Sequence, residues 1–390
     1  MPTTPDKVRF VVIGCGMLAR SQHLPNIVAS KKAGLQAICD SSQTALDECA
    51  KLFAPALIFR DYHAAIAHPE VEAICLATTE KLRLPVIQAA AAAGKPVYTE
   101  KPLAREMDEV YAIQKTVRGS GIAFCVGHNR RASPAICAAH TLFRNHMRHP
   151  TPCPWRFDRE GASRAHLAED GIASMSVRIN DDWYSWKSWV FDRAQAPHGP
   201  MLFEMTHFTD LCNWFLDAEP LEVMAMESGM LNHSVSIRYR TGELATIVMG
   251  SNGTFGYGKE LYELMGNGAY MAIDHLLEVR TAGIMGAPAR QTFPVLRDRH
   301  PQIGAEGGLS GWLAKKQAAC AEATQAGNPE LIFTAEPDRG HIAILEQFCD
   351  QIRGRGPEVC GVDAAVLATR VAMAAVRSAA ERRLVLLSEV

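Results

Sequence analysis

Between residues 7 and 128, short apolar runs rich in β-branched residues alternate with alanine-rich stretches at helical spacing. No other feature of the chain constrains its fold as strongly. The runs are VRFVVIG (8–14), LQAICD (35–40), ALIFRD (56–61), VEAICLATT (71–79), PVYTE (96–100) and AFCVG (123–127). Between them lie segments such as SQTALDECAKLF and RLPVIQAAAAAG, the second closing on Gly94 as helices commonly close. Strands apolar along their whole length are buried on both faces, which predicts a parallel sheet covered by helices on either side. Residues 1–128 are therefore expected to form a doubly wound α/β domain.

After residue 130 the rhythm changes. One long helical segment is expected over 202–216, followed by strands in which apolar and polar residues alternate. HSVSIRYRTGELATIVMGSN predicts a hairpin turning at Thr241-Gly242, and KELYELMGNGAYMAIDHLLEVRTAG another turning at Asn267-Gly268. This pattern predicts an α+β domain over 129–390 with a large open antiparallel sheet. HIAILEQFCDQIRG and DAAVLATRVAMAAVRSAAERR predict closing helices, which can pack back on the first domain, while 297–311 reads as a loop. The 390 residues suffice for two cores.

With 40 basic against 42 acidic side chains, nothing draws the chain electrostatically to nucleic acid or to an anionic membrane. A small neutral ligand is the expected partner. The 11 cysteines include no C-x-x-C pair, and several sit in apolar runs, where a thiol behaves as a small hydrophobe. A reducing, cytoplasmic setting is expected. The N-terminus lacks a basic region leading into a long apolar stretch.

VVIGCGMLA places Gly14 and Gly16 directly after the first strand, with Ala19 as the small third residue of a G-x-G-x-x-G/A loop. The first glycine permits the tight turn, the second lets a pyrophosphate approach the backbone, and the third lets helix and strand pack closely. Asp40 ends the second strand, where a carboxylate can accept hydrogen bonds from ribose hydroxyls. It would repel a 2′-phosphate, and its neighbours Ser41 and Ser42 bring no arginine to offset that. NAD is thus expected rather than NADP, with Met17, Leu18, Ser41 and Thr78 completing the contacts together with Glu100 and Lys101.

AGKPVYTEKPLA, with Glu100, Lys101 and Pro102 ending a strand, resembles the signature of the Gfo/Idh/MocA oxidoreductases, the glucose-fructose oxidoreductase and inositol dehydrogenase family. The resemblance extends to the glycine loop, Asp40, ATTEKLRLPVIQAAAAAGKP, GHNRRASPA, the segment holding His207 and the antiparallel sheet. It implies a dinucleotide domain and an open-sheet domain with the substrate held between them, and a homodimer or homotetramer. Many members carry Asn and His shortly after the fourth strand, where this chain has Glu80 and Lys81. Many also place Asp four residues before the histidine, where this chain has Phe203.

Hydride transfer from a secondary alcohol needs a base for the hydroxyl proton and a positive charge beside the developing alkoxide. Lys101, at the carboxyl end of the fifth strand, can supply the charge, a position the resemblance also gives it. His207 can accept the proton, since an imidazole titrates near neutrality. Glu204 stands three residues before it and can orient the ring, bind a sugar hydroxyl or cap a neighbouring segment. The sequence EMTH occurs once, and a di-iron bundle needs a second Glu-x-x-His, so no metal is expected. RINDDWYSWKSWVFD sets Trp183, Tyr184, Trp186 and Trp189 among polar groups, a combination suited to the apolar face and hydroxylated rim of a sugar or to core packing. His128, Arg130, Arg178 and Asn180 are further candidate substrate contacts.

Together with these residues, the resemblance implies three candidate functions. The first is an NAD-dependent dehydrogenase acting on a secondary hydroxyl of a sugar, sugar derivative or cyclitol. The second is an NAD-dependent glycosidase that oxidises transiently and then eliminates. The third is a noncatalytic cofactor-dependent sensor.

Overall fold

A computed structural model describes residues 7–150, 172–183, 189–296, 302–303, 307–328 and 336–390. The chain divides into two compact units, 1–132 with 340–370 and 133–339 with 371–390.

The first unit carries β1 (Val8–Ile13), β2 (Ala33–Cys39), β3 (Leu57–Phe59), β4 (Ala73–Leu76), β5 (Val97–Thr99) and β6 (Phe124–Val126). All pair in parallel, in the order β3-β2-β1-β4-β5-β6. The order reverses between β1 and β4, the switch point at whose carboxyl ends ligands bind in open α/β sheets. The connecting helices are α1 (Leu24–Ala29), α2 (Gln43–Phe53), α3 (Tyr62–Ala67), α4 (Arg83–Ala92) and α5 (Met107–Ser120). Ser42 caps α2 by accepting a hydrogen bond from Ala45 N, and Gly94 and Gly121 follow α4 and α5 with φ of 65° and 67°. The continuous apolar runs become an uninterrupted core through Val11, Val12, Ile38, Ile74, Val97 and Val126, joined by Ile344 and Phe348 of a later helix, His341–Ile352.

The second unit holds a nine-stranded sheet. Its strands are β7 (Ala173–Asn180), β8 (Pro220–Ser228), β9 (Asn232–Tyr239), β10 (Leu244–Gly250), β11 (Glu260–Gly266), β12 (Ala269–Asp274), β13 (Glu278–Ala282), β14 (Arg290–Thr292) and β18 (Val385–Leu386), with three short strands numbered between the last two. The hairpins turn where predicted. Asn267 and Gly268 both take positive φ, as a two-residue turn between twisted strands demands. The sheet is mixed rather than wholly antiparallel, because β10 runs parallel to β7 while every other neighbour pair is antiparallel. Alternation divides its faces: Met175, Val177 and Ile179 of β7 turn into the core, and Ser174, Ser176, Arg178 and Asn180 face the other way.

Two sequence expectations change here. After α6 (Pro134–Arg148), the predicted helix 202–216 is two, α7 (Gly199–Phe203) and α8 (Thr206–Leu216), with a break at Glu204-Met205. The amides of Glu204 and Met205 both donate to Pro200 O at 2.9 Å, and His207 N donates to Glu204 O at 3.2 Å, so the i to i+4 ladder is interrupted for one turn. The stretch 297–311 is not simply a loop. Gln302–Ile303 form a short strand paired with Val295–Leu296, and a helix, Gly308–Ala326, starts within it. Among the described residues no helix is long and apolar enough to cross a membrane.

Candidate active site

The dinucleotide loop is built as the glycine pattern requires. Gly14 has φ of 98°, and a Cβ there would lie 2.7 Å from Ala77 O, so β1 and β4 leave space for glycine alone. Around Gly16 a Cβ would meet nothing within 4 Å, which leaves the backbone open to an incoming pyrophosphate. Met17 is 77% exposed and Leu18 is exposed beside it. Asp40 closes the loop: its Oδ2 accepts from Cys15 N at 2.7 Å and its Oδ1 from Ser42 N at 2.8 Å. Thr78 is half-buried at the end of β4. These residues fit a dinucleotide. An arginine that sequence adjacency did not reveal reaches this corner, since Arg60 donates to Ser41 O at 2.8 Å.

Gly14→Ala tests the loop. A left-handed, sterically blocked position is expected to cost about 2–4 kcal/mol of stability in a urea titration, with weaker NAD binding. An unchanged midpoint would contradict this account of the turn.

At the carboxyl end of β5, Lys101 is clamped through its main chain. Its N–H donates to Glu100 Oε2 at 3.3 Å, and its C=O accepts from Arg83 Nη2 at 3.5 Å. The Lys101-Pro102 peptide is cis and Pro102 is buried, while Lys101 itself is half-buried. Glu100 is buried with His23, whose Nε2 lies 2.9 Å from Glu100 Oε1 without the alignment of a good hydrogen bond. Burial alone would raise the Glu100 carboxyl, but the contact and charge of His23, with Lys101 and Arg83, bring it down to about 2. Burial likewise pushes the His23 imidazole down, and Cys75 and Glu100 outweigh it and hold it well above its usual range.

Glu80 is buried in a charge cluster. Arg105 Nε and Nη2 donate to its Oε2 at 3.0 and 2.9 Å, and Arg83 Nη2 lies 3.6 Å from its Oε1. Arg83 is 2% exposed, and its Nε and Nη1 make no hydrogen bond. Glu80→Ala would strand this buried guanidinium. A destabilisation of about 3–5 kcal/mol is expected by denaturant titration; a loss below about 1 kcal/mol would mean that the cluster does not hold this corner together.

His128 and Arg130 are buried in the turn after β6, in the first unit, where Asn129 Nδ2 lies 3.3 Å from His341 Nε2. In the second unit, α8 packs on β7 through Phe208, Leu211, Cys212 and Phe215. The same helix buries a polar series of Thr206, His207, Thr209, Asp210 and Asn213. Asn213 Oδ1 accepts from Tyr239 Oη at 3.0 Å. Asp210, one helical turn beyond His207 and wholly buried, escaped the sequence reading because only its spacing to His207 could have signalled it. Glu204 is half-buried in the break before α8, and its carbonyl oxygen accepts from His207 N at 3.2 Å.

Arg178 and Asn180 are not brought to α8. They lie on the opposite sheet face, where Arg178 sits 5.7 Å from the centre of the Tyr257 ring. Asn180 Nδ2 donates to Thr254 O at 2.7 Å while its Oδ1 accepts from Thr254 N at 3.1 Å, pinning a loop. Of the aromatic set, Trp183 stands edge-on to Phe191 at 6.5 Å and Trp189 edge-on to Phe203 at 4.9 Å, beside the break at Glu204. Tyr184 and Trp186 lie outside the described residues.

Residues 8–128 match the family described as an oxidoreductase family with an NAD-binding Rossmann fold. The myo-inositol 2-dehydrogenase of Thermotoga maritima is 22% identical over 405 residues, covering 98% of this chain and 99% of that protein. Among solved structures, scyllo-inositol dehydrogenase from Lactobacillus casei with bound NAD(H) and scyllo-inositol superposes with a TM-score of 0.70 at 17% identity, covering 98% of this chain and 99% of that one. The aldose-aldose oxidoreductase of Caulobacter crescentus gives 0.71 at 17% identity, covering 97% and 99%. With its glycine loop and its Glu-Lys-Pro turn, the segment 8–128 belongs, as an NAD-binding Rossmann domain, to the Gfo/Idh/MocA oxidoreductase family.

Proposed function

We propose that the protein is an NAD-dependent dehydrogenase oxidising, or in reverse reducing, a secondary hydroxyl of a sugar, sugar derivative or cyclitol. The observation that carries this reading is the clamped Lys101 at the carboxyl end of β5, in the same unit as a glycine loop fitted to a dinucleotide. The Gly14–Leu18 loop, Asp40, Ser41 and Thr78 hold the cofactor, which supplies a hydride acceptor or donor. Lys101 stabilises the alkoxide, and His207 takes the hydroxyl proton onto its imidazole. Glu204 orients His207 or receives a substrate hydroxyl. His128 and Arg130 supply polar contacts to the substrate, and Trp183 or Trp186 an apolar face for the sugar ring.

The names of relatives support the substrate class. They include inositol 2-dehydrogenases, a levoglucosan dehydrogenase and a 1,5-anhydro-D-fructose reductase. Because Arg178 and Asn180 face away from α8, they are proposed to serve the outer sheet face instead of the substrate. A thermal-shift panel of cyclitols, monosaccharides and anhydrosugars with NAD present tests the reading, since a true substrate stabilises the ternary complex. No shift with any polyol would tell against it.

That outer face displays Met224, Met226, Val248, Met265 and Tyr270. It is proposed to join copies of the chain into a homodimer or homotetramer in a reducing cytoplasm. Val248→Glu is expected to lower the mass measured by light scattering to that of a smaller assembly, and an unaltered oligomer would contradict the assignment.

A further inference from the structure

Between the glycine loop and α1 the chain makes a π turn, Ala19–His23. A π turn accommodates one residue more than an α-helix would, and such insertions concentrate at functional sites. Each residue advances a helix by about 100°, so the insertion changes which side chain faces the sheet at this point. The side chain it delivers is His23, 6% exposed, with its ring edge-on to Tyr98 at a centroid distance of 5.8 Å. Its Nε2 lies 2.9 Å from Glu100 Oε1. Room for the carboxylate is kept by Gly127, where a Cβ would lie 3.1 Å from Glu100 Oε1 and 3.3 Å from Tyr98 Oη.

The other oxygen of the same carboxylate accepts from Lys101 N. The groups facing His23 and Glu100 are Cys75 on β4, Tyr98 on β5, Lys101 and Arg83. A buried carboxylate without a cation is expensive. Arg83 already donates to the carbonyl of Lys101, and Nε2 of His23, whose pKa its surroundings hold well above the usual imidazole range, is in direct contact with the carboxylate.

We infer that His23 is a positioning residue for the reaction: delivered by the π turn, it holds Glu100 in place, and Glu100 fixes the main chain of Lys101. The role rests on the function proposed above for Lys101. It links the dinucleotide loop to the lysine loop through one side chain contributed by the helix that follows the glycines.

His23→Gln, Glu100→Gln and the double variant test it. H23Q removes the cation and keeps a hydrogen-bonding group. In H23Q kcat is expected to fall on the order of tenfold to a hundredfold, as for displaced reacting groups. The NAD dissociation constant should stay within about threefold, and hydrogen exchange of the peptide containing the Lys101 amide should speed up. If His23 acts through Glu100, the double variant is no slower than the slower single variant, and His23→Lys, which restores a cation, recovers part of kcat. An unchanged kcat in folded H23Q would overturn the inference, as would single-variant losses that multiply in the double variant. So would weakened NAD binding with kcat intact, which would confine His23 to the glycine loop. If H23Q does not fold, E100Q alone must slow turnover and speed exchange at Lys101, or the inference fails. The exchange measurement needs no substrate, so it still judges His23 if the wild type oxidises no polyol and the functional reading falls.

Discussion

Lys101→Met is expected to lower kcat by about 1,000-fold while leaving NAD affinity within a few-fold of wild type, because in the proposed mechanism it removes the charge beside the developing alkoxide. Methionine keeps most of the side-chain length and apolar stem. The main-chain clamp by Glu100 and Arg83 does not depend on the side chain, so the loop should persist. The loss should therefore appear in kcat and not in thermal stability. Steady-state kinetics with a substrate found by the thermal-shift panel, beside NAD titration, separate these effects. A variant that keeps full turnover while binding ligands would instead favour a sensor.

His207→Asn is expected to lower kcat/KM by about 100- to 1,000-fold, the contribution usual for a positioned general base. His207 is 7% exposed near the start of α8, and its amide is tied to Glu204 O, so asparagine can keep the helix while losing the proton acceptor. Glu204→Gln separates the two polar residues: an effect of tenfold or less would confine Glu204 to orientation or hydroxyl binding. Equal losses in both variants would place Glu204 in the proton path. If His207→Asn kept wild-type kcat/KM, the base would have to be sought elsewhere, with the wholly buried Asp210 the next residue to substitute.

The parallel sheet was legible because its strands are apolar from end to end, and the hairpins because Thr241-Gly242 and Asn267-Gly268 interrupt strict alternation. The glycine loop and Asp40 were equally plain, since their chemistry depends on neighbours in sequence. What stayed hidden depends on single insertions or on pairings across space. The break at Glu204 is invisible in composition, because PMLFEMTHF is apolar enough to continue one helix. The π turn that delivers His23 is likewise one residue in a helical stretch. The cluster Glu80, Arg83 and Arg105 joins β4's loop to a residue 25 positions later, and Arg60 approaches Ser41 from β3's end. Arg178 and Asn180 had the right chemistry for a sugar, but strand alternation turned them to the outer face.

The central claim is net oxidation of a secondary alcohol by NAD, and the stoichiometry of one reaction tests it most directly. With a free cyclitol or sugar as the only other reactant, NADH and ketone are predicted to accumulate together, one of each for every alcohol consumed, and both are predicted to vanish in Lys101→Met. Release of a sugar from a glycoside at constant total NAD, with no NADH formed from any free polyol, would contradict the account and identify the chain as a redox-assisted glycosidase.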